Sequence, residues 1–394
     1  MTTTTAPPVG PTPTDPRQAV DPLPGAGSTW SVSWHGVRTV ATLELRQRVR
    51  STRWIVSLVV FGLLVGGVSV LTWAFARQVD DAAWTVGPTM FGFIAFFVLF
   101  LGLLVSPTLS ATAINGDRAA GTLATLQVTL LSALEIVLGK LLAAWLASLA
   151  FLAVSLPFIL WAFATGNTSP LAVLTTVLLL AVMLAVVCAM GLGFSALTAR
   201  TAGSAVLSYV AVASLSVLSL IIFGLSVPLV SGIETVQVYE EDWEAWEREG
   251  NEYPLDGEPM IPCTWVEREQ YVSHTERTWW LLAINPFVIV ADAAPDAVRP
   301  RDDYYGSFDP LALIRQGVRT ARLGPPETFN YCWRELEMTG QGFGAGTSDD
   351  GRPLSPVWPW GLSVNLLLGA AGVLFATHRL RIPQRTLPRG TRVA

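Results

Sequence analysis

Few residue types in this chain could do chemistry: it has a single lysine, three histidines and three cysteines. Phosphate chemistry would have to use Gly139-Lys140, the only Gly-Lys pair. A phosphate-cradling loop needs G-x-x-x-x-G-K followed by Ser or Thr, so that backbone N–H groups hold the phosphates and the hydroxyl holds Mg. Leu134 stands where the first glycine should be and Leu141 where the hydroxyl should be. This chain is therefore not expected to hydrolyse ATP. His35, His274 and His378 are scattered, with neither H-E-x-x-H nor Cys/His spacing, so no metal site and no catalytic residue is assigned.

What remains is one polar stretch around Ile114 to Lys140. Leu123, Leu126 and Leu130 share a helical face, preceded by Asp117 and Arg118 with Gly121 and Thr122 between. A short amphipathic helix flanked by charge is a docking element. Ser132 and Glu135 form S-x-x-E before an apolar run, a capping box that starts a helix by satisfying its first N–H groups. One turn on, Lys140 is expected to snorkel its ammonium to the inner lipid headgroups.

The elements that must position these residues follow from composition. Hydrophobic residues make up 51% of the chain and charged residues 14%, and the mean hydropathy is +0.47. A soluble domain carries about 25% charged residues, so an ordinary soluble enzyme is excluded. Charge-free runs cover 54–76, 82–116, 141–199, 201–233 and 353–377. Each can cross a hydrocarbon core that needs about 20 residues of helix. The longest breaks at Gly166-Asn167-Thr168-Ser169-Pro170 into two helices. The reading is an all-α polytopic membrane protein with six spans, about 54–76, 87–109, 136–164, 170–198, 203–230 and 357–377.

Basic residues flanking spans are retained in the cytoplasm. Arg38, Arg46, Arg48, Arg50 and Arg53 precede the first span, and Arg379, Arg381, Arg385, Arg389 and Arg392 follow the last. Both termini are expected inside a plasma membrane. Residues 231–356 hold most of the acidic residues and are expected outside. There, Cys263 and Cys332 either form a disulfide or remain two unpaired thiols, and oxidation is permitted. The apolar piece Thr278–Ala291 is too short to span and is interrupted by Asn285-Pro286. It is either re-entrant or part of an external core. The acidic run Glu240–Glu247 is either a binding patch for cations or basic peptides or a solvated helix face. Residues 1–35 read as a disordered cytoplasmic tail, 36–53 as an amphipathic basic helix and 378–394 as a basic cytoplasmic tail. The 36–53 helix either lies in the inner interface with its Val37, Ala41 and Leu45 stripe, or merely extends the first span.

The 114–140 stretch resembles the signature of ABC-2 type transporter permeases, the membrane subunits of ABC exporters. Asp117, Gly121, Thr122, Leu123, Ser132, Glu135, Ile136, Gly139 and Lys140 fall at matching places. The resemblance implies that 36–53 is an elbow helix and that about 115–131 is a coupling helix. Asp117, Arg118, Gly121, Thr122, Leu123 and Leu126 would then dock a cytoplasmic ABC ATPase subunit. It further implies a second permease chain, as homodimer or heterodimer, with ATP and Mg bound by the ATPase and no cofactor in this chain. Membrane lipid is a partner and nucleic acid is not. Three departures are visible: the family more often has glutamate at the place of Asp117, its next positions are usually more charged than Ala119-Ala120, and many members lack so long an insert between spans five and six. The spans carry no Asp, Glu, Arg or His between their ends. That argues against ion-coupled transport and agrees with an ATP-driven exporter, powered from outside the membrane, of an unknown substrate that is amphiphilic or apolar rather than a small ion. The alternative is a membrane-anchored sensor or assembly protein whose external segment binds a partner.

Overall fold

Apolar runs that outlast a bilayer become helices, because only a helix satisfies its backbone polar groups without water. The computed structural model describes residues 30–79, 86–122, 131–248, 261–295, 309–332 and 353–380. It contains six helices long and apolar enough to cross a membrane: Thr52–Gln78, Val86–Ala119, Ala133–Ala164, Pro170–Leu197, Thr201–Val230 and Trp358–Arg379. This is a multi-pass membrane protein.

In chain order, α1 (Trp34–Val49) precedes the first span α2 (Thr52–Val79). The second span is α3 (Val86–Ser110), followed by the short α4 (Asn115–Ala119). The third and fourth spans are α5 (Ala133–Ala164) and α6 (Pro170–Leu197). Their tight turn uses Gly166 and Asn167 at φ 102° and 60°. Ser169 then caps α6, with Pro170 in its first turn. The fifth span joins α7 (Thr201–Ala213), a π-helical turn (Ser214–Leu218), α8 (Ser219–Ser226) and a 3-10 turn (Val227–Val230).

Small residues let the spans approach closely, as membrane helices require where apolar burial alone gives no preference over lipid. A Cβ on Gly193 would lie 2.8 Å from Cα of Gly372 on the sixth span, and one on Gly372 would lie 2.5 Å from the Ala189 carbonyl. Hydroxyls inside the bundle donate back to their own helices, Ser69 to the Val65 carbonyl at 2.7 Å and Ser148 to Ala144 at 2.9 Å.

The fifth span runs without a break into a three-stranded sheet, an addition to the all-helical pattern. Strand β1 (Ser231–Glu241) lies between β2 (Cys263–Ser273) and β3 (Thr328–Asn330). It pairs antiparallel with β2, from Ser231 opposite Ser273 to Glu241 opposite Cys263, and parallel with β3. Cys263 and Cys332 are bonded, S–S 2.03 Å, tying the start of β2 to the chain just past β3. The acidic run ends in α9 (Trp243–Arg248), which Asp242 caps at its Ala245 N–H and whose Trp246 is buried. Glu240 pairs with Arg268.

The Thr278–Ala291 piece forms α10 (Trp280–Ala283) and α11 (Pro286–Ala293), two short helices hinged at Asn285-Pro286. They do not cross the bilayer. They pack among the spans, with Ile289, Val290 and Ala291 fully buried in the main apolar core. Amphipathic α12 (Pro310–Leu323) follows, and α13 (Trp358–Arg379) is the sixth span.

Candidate functional site

At the end of the bundle where α1 lies, the Ser132 and Glu135 box does more than start α5. Ser132 Oγ accepts from Glu135 N–H at 3.1 Å, and Glu135 Oε2 accepts from Ser132 N–H at 2.7 Å. The second carboxylate oxygen of Glu135 accepts from Ser33 N–H at 2.6 Å, while the Ser132 hydroxyl donates to the Ser31 carbonyl at 2.6 Å. Ser33 is itself the N-cap of α1. One carboxylate thus starts two helices at once. The same face of α5 continues through Ile136 and Gly139, where a Cβ would lie 2.6 Å from Cβ of Val40. The apolar stripe of α1, with Val37, Val40 and Ala41 buried, packs on α5 rather than into lipid.

Lys140 differs from the snorkelling expectation. Its side chain is 1% exposed, and Nζ donates to Glu44 Oε1 and Asp117 Oδ2, each at 2.5 Å. The physical reason is local: two carboxylates from α1 and α4 meet the ammonium before any headgroup can, and a buried charge is tolerated only when paired. Arg48, 3.8 Å from the other Glu44 oxygen, donates to the Leu109 carbonyl at 2.9 Å, satisfying an orphan acceptor near the end of α3. Four elements thereby converge on one charge-balanced cluster.

Asn115 anchors α4 from its other side. Its side chain, fully buried, donates to Ser204 Oγ at 2.7 Å and to Thr198 Oγ1 and the Arg200 carbonyl, and accepts from Ser195 Oγ at 3.1 Å. The junction of the fourth and fifth spans is held in this way. Gly121 ends the α4 turn at φ 71°, a left-handed conformation that favours glycine. Thr122 donates to the Asp117 carbonyl at 3.3 Å, and Arg118 is exposed. Leu123 and Leu126 lie outside the described residues, between these anchors and Ser132.

A second polar set occupies the opposite end. Asn285 Nδ2 donates to the Ser216 carbonyl at 2.7 Å and to Ser219 Oγ at 3.0 Å, filling the site that the π-helical turn opens in the fifth span. Asp292, 1% exposed, accepts from the first N–H groups of the sixth span, Val357 at 2.6 Å and Trp358 at 2.7 Å, and from Arg319 at 2.6 Å. His274 stands between Glu276 and Glu234, each 2.9 Å from a ring nitrogen. These two hydrogen bonds, Glu234 first, raise its pKa above the ordinary 6.5. Among the described residues no cluster of His, Cys, Asp or Glu could hold a metal ion.

Sequence reasoning missed Glu44, Arg48, Asn115, Asn285 and Asp292. Glu44 carried a signal, as the only acid in the arginine-rich stretch 36–53. No curated protein matches the chain. The family described as ABC-2 family transporter protein matches residues 38–290. That match takes in most of α1, the first five spans, the charge cluster and the buried α10–α11 hairpin as far as Val290, and it extends over more than half of the sequence; the chain belongs to the ABC-2 transporter family.

Proposed function

We propose that the chain is the permease subunit of an ATP-driven exporter that works with a separate ATPase subunit. The observation that carries this is the anchoring of segment 115–131 at both ends: Asn115 and Asp117 fix its start to the spans, and Ser132 and Glu135 fix its end to α1 and α5. A segment whose two ends are held in this way can pass a push from a docked subunit to several spans together. The arginine-flanked termini support a cytoplasmic position for this end and an external one for the 231–356 insert, where a disulfide is stable. ATP and Mg belong to the ATPase, and a second permease chain completes the pathway for an amphiphilic substrate.

Leu123 and Leu126 supply the apolar anchors of the docking face, with Asp117 or Arg118 at its rim, because buried apolar anchors carry most of an interface's energy. The test is affinity purification of the tagged chain from its native membrane. A Walker-type ATPase is expected to co-purify. Leu126→Asp places an unpaired carboxylate in the interface, at a cost of about 3 kcal/mol or more, and should lose the ATPase with the chain still inserted. Undiminished ATPase recovery with Leu126→Asp would overturn the docking assignment.

A further inference from the structure

The charge cluster is not symmetric, and the asymmetry says which of its contacts can open. Glu44 is 15% exposed and is paired with both Lys140 and Arg48, whereas Asp117 is 29% exposed and, among the charged groups of the described residues, its carboxylate meets Lys140 alone. Rehydrating Asp117 costs little, because it already touches solvent, while withdrawing Glu44 would take from the buried Lys140 its less exposed partner and from the partly buried Arg48 its ion pair. Arg48 also fastens α1 to the end of α3 through the Leu109 carbonyl.

We propose that Lys140 is a positioning residue for coupling: it holds α1 permanently through Glu44 and holds the start of the docking segment, 115–122, releasably through Asp117. The inference rests on the docking role proposed for 115–131. With the Asp117 contact closed, 115–122, α1 and α5 move as one body. With the Asp117 contact open, 117–122 moves about the Asn115 anchor while α1 stays seated on α5 at Gly139. Lys140 therefore sets whether displacement of 115–122 reaches α1 at Glu44, a route separate from the link that Ser132 and Glu135 make to Ser31 and Ser33 at the other end of the segment.

Hydrogen exchange on the full chain in lipid nanodiscs, without any ATPase, tests this independently of the docking assignment, which ATPase co-purification tests. Asp117→Asn should speed exchange about tenfold in 115–122, the factor expected for loss of one charge-assisted hydrogen bond, and leave 34–49 and 133–164 unchanged. Glu44→Gln should speed exchange in both 34–49 and 115–122. Lys140→Arg should keep wild-type protection in both segments. In a Lys140→Met background, Asp117→Asn should add nothing further. Should Lys140→Met fail to fold, the Asp117→Asn and Glu44→Gln pair still decides. Equal loosening of α1, 115–122 and α5 by Asp117→Asn, or no change by either variant, would overturn the proposal.

Discussion

At the scale of single residues, the polar side chains do the positioning, and each has a measurable signature. Both ring nitrogens of His274 face carboxylates, and only the protonated ring can donate to both. Because its folded pKa is raised above 6.5, the clamp's stabilising effect is complete below the unfolded value and is lost as pH rises through the folded one. Thermal unfolding of the insert should therefore occur at lower temperature as the solution is made more alkaline, and His274→Gln should flatten that dependence. Asp292 serves Arg319 and the first turn of the sixth span together, where an anion also meets the positive end of the helix dipole. Asp292→Ala should cost about 3 kcal/mol, read as a lowered melting temperature in detergent. None of these partnerships was legible in the sequence. Lys140 and Glu44 are 96 residues apart and Asp292 and Trp358 are 66 apart, and nothing in residue type announces which distant acid a cation will meet. Ser132 and Glu135 were legible as a cap because their contact is local.

Elements repeat the contrast. The spans were readable because a bilayer imposes length and apolarity on every stretch that crosses it, and the break at Gly166-Asn167 was readable because glycine and asparagine accept left-handed backbone. The sheet was not. Strands β1 and β2 expose much of both faces, so the alternation that marks a half-buried strand never forms. Helix packing offers its own test. A Cβ on Gly361 would sit 1.7 Å from the Ala283 carbonyl, so even Gly361→Ala must push the α10–α11 hairpin off the sixth span. Overpacking of this kind costs about 1–3 kcal/mol. The expected result is a lower melting temperature with faster hydrogen exchange confined to 280–294. Gly67, with open space around it, should accept alanine without loss.

For the whole molecule, the membrane orientation proposed from arginine placement is open to direct labelling. Cys188 is buried and the other two cysteines are bonded to each other, so an introduced cysteine reports alone. One placed near residue 250 should react with an impermeant thiol reagent on intact cells, and one near 390 should not; the reverse pattern would invert the orientation. The buried state of Lys140 reaches further than the junction it holds together. As the only lysine, 1% exposed and twice paired, it leaves the folded chain with no accessible side-chain amine. Ester cross-linkers, biotin tags and any lysine-directed degradation mark would find no side-chain target on this subunit. The surface of the folded chain is mapped instead through its arginines and carboxylates.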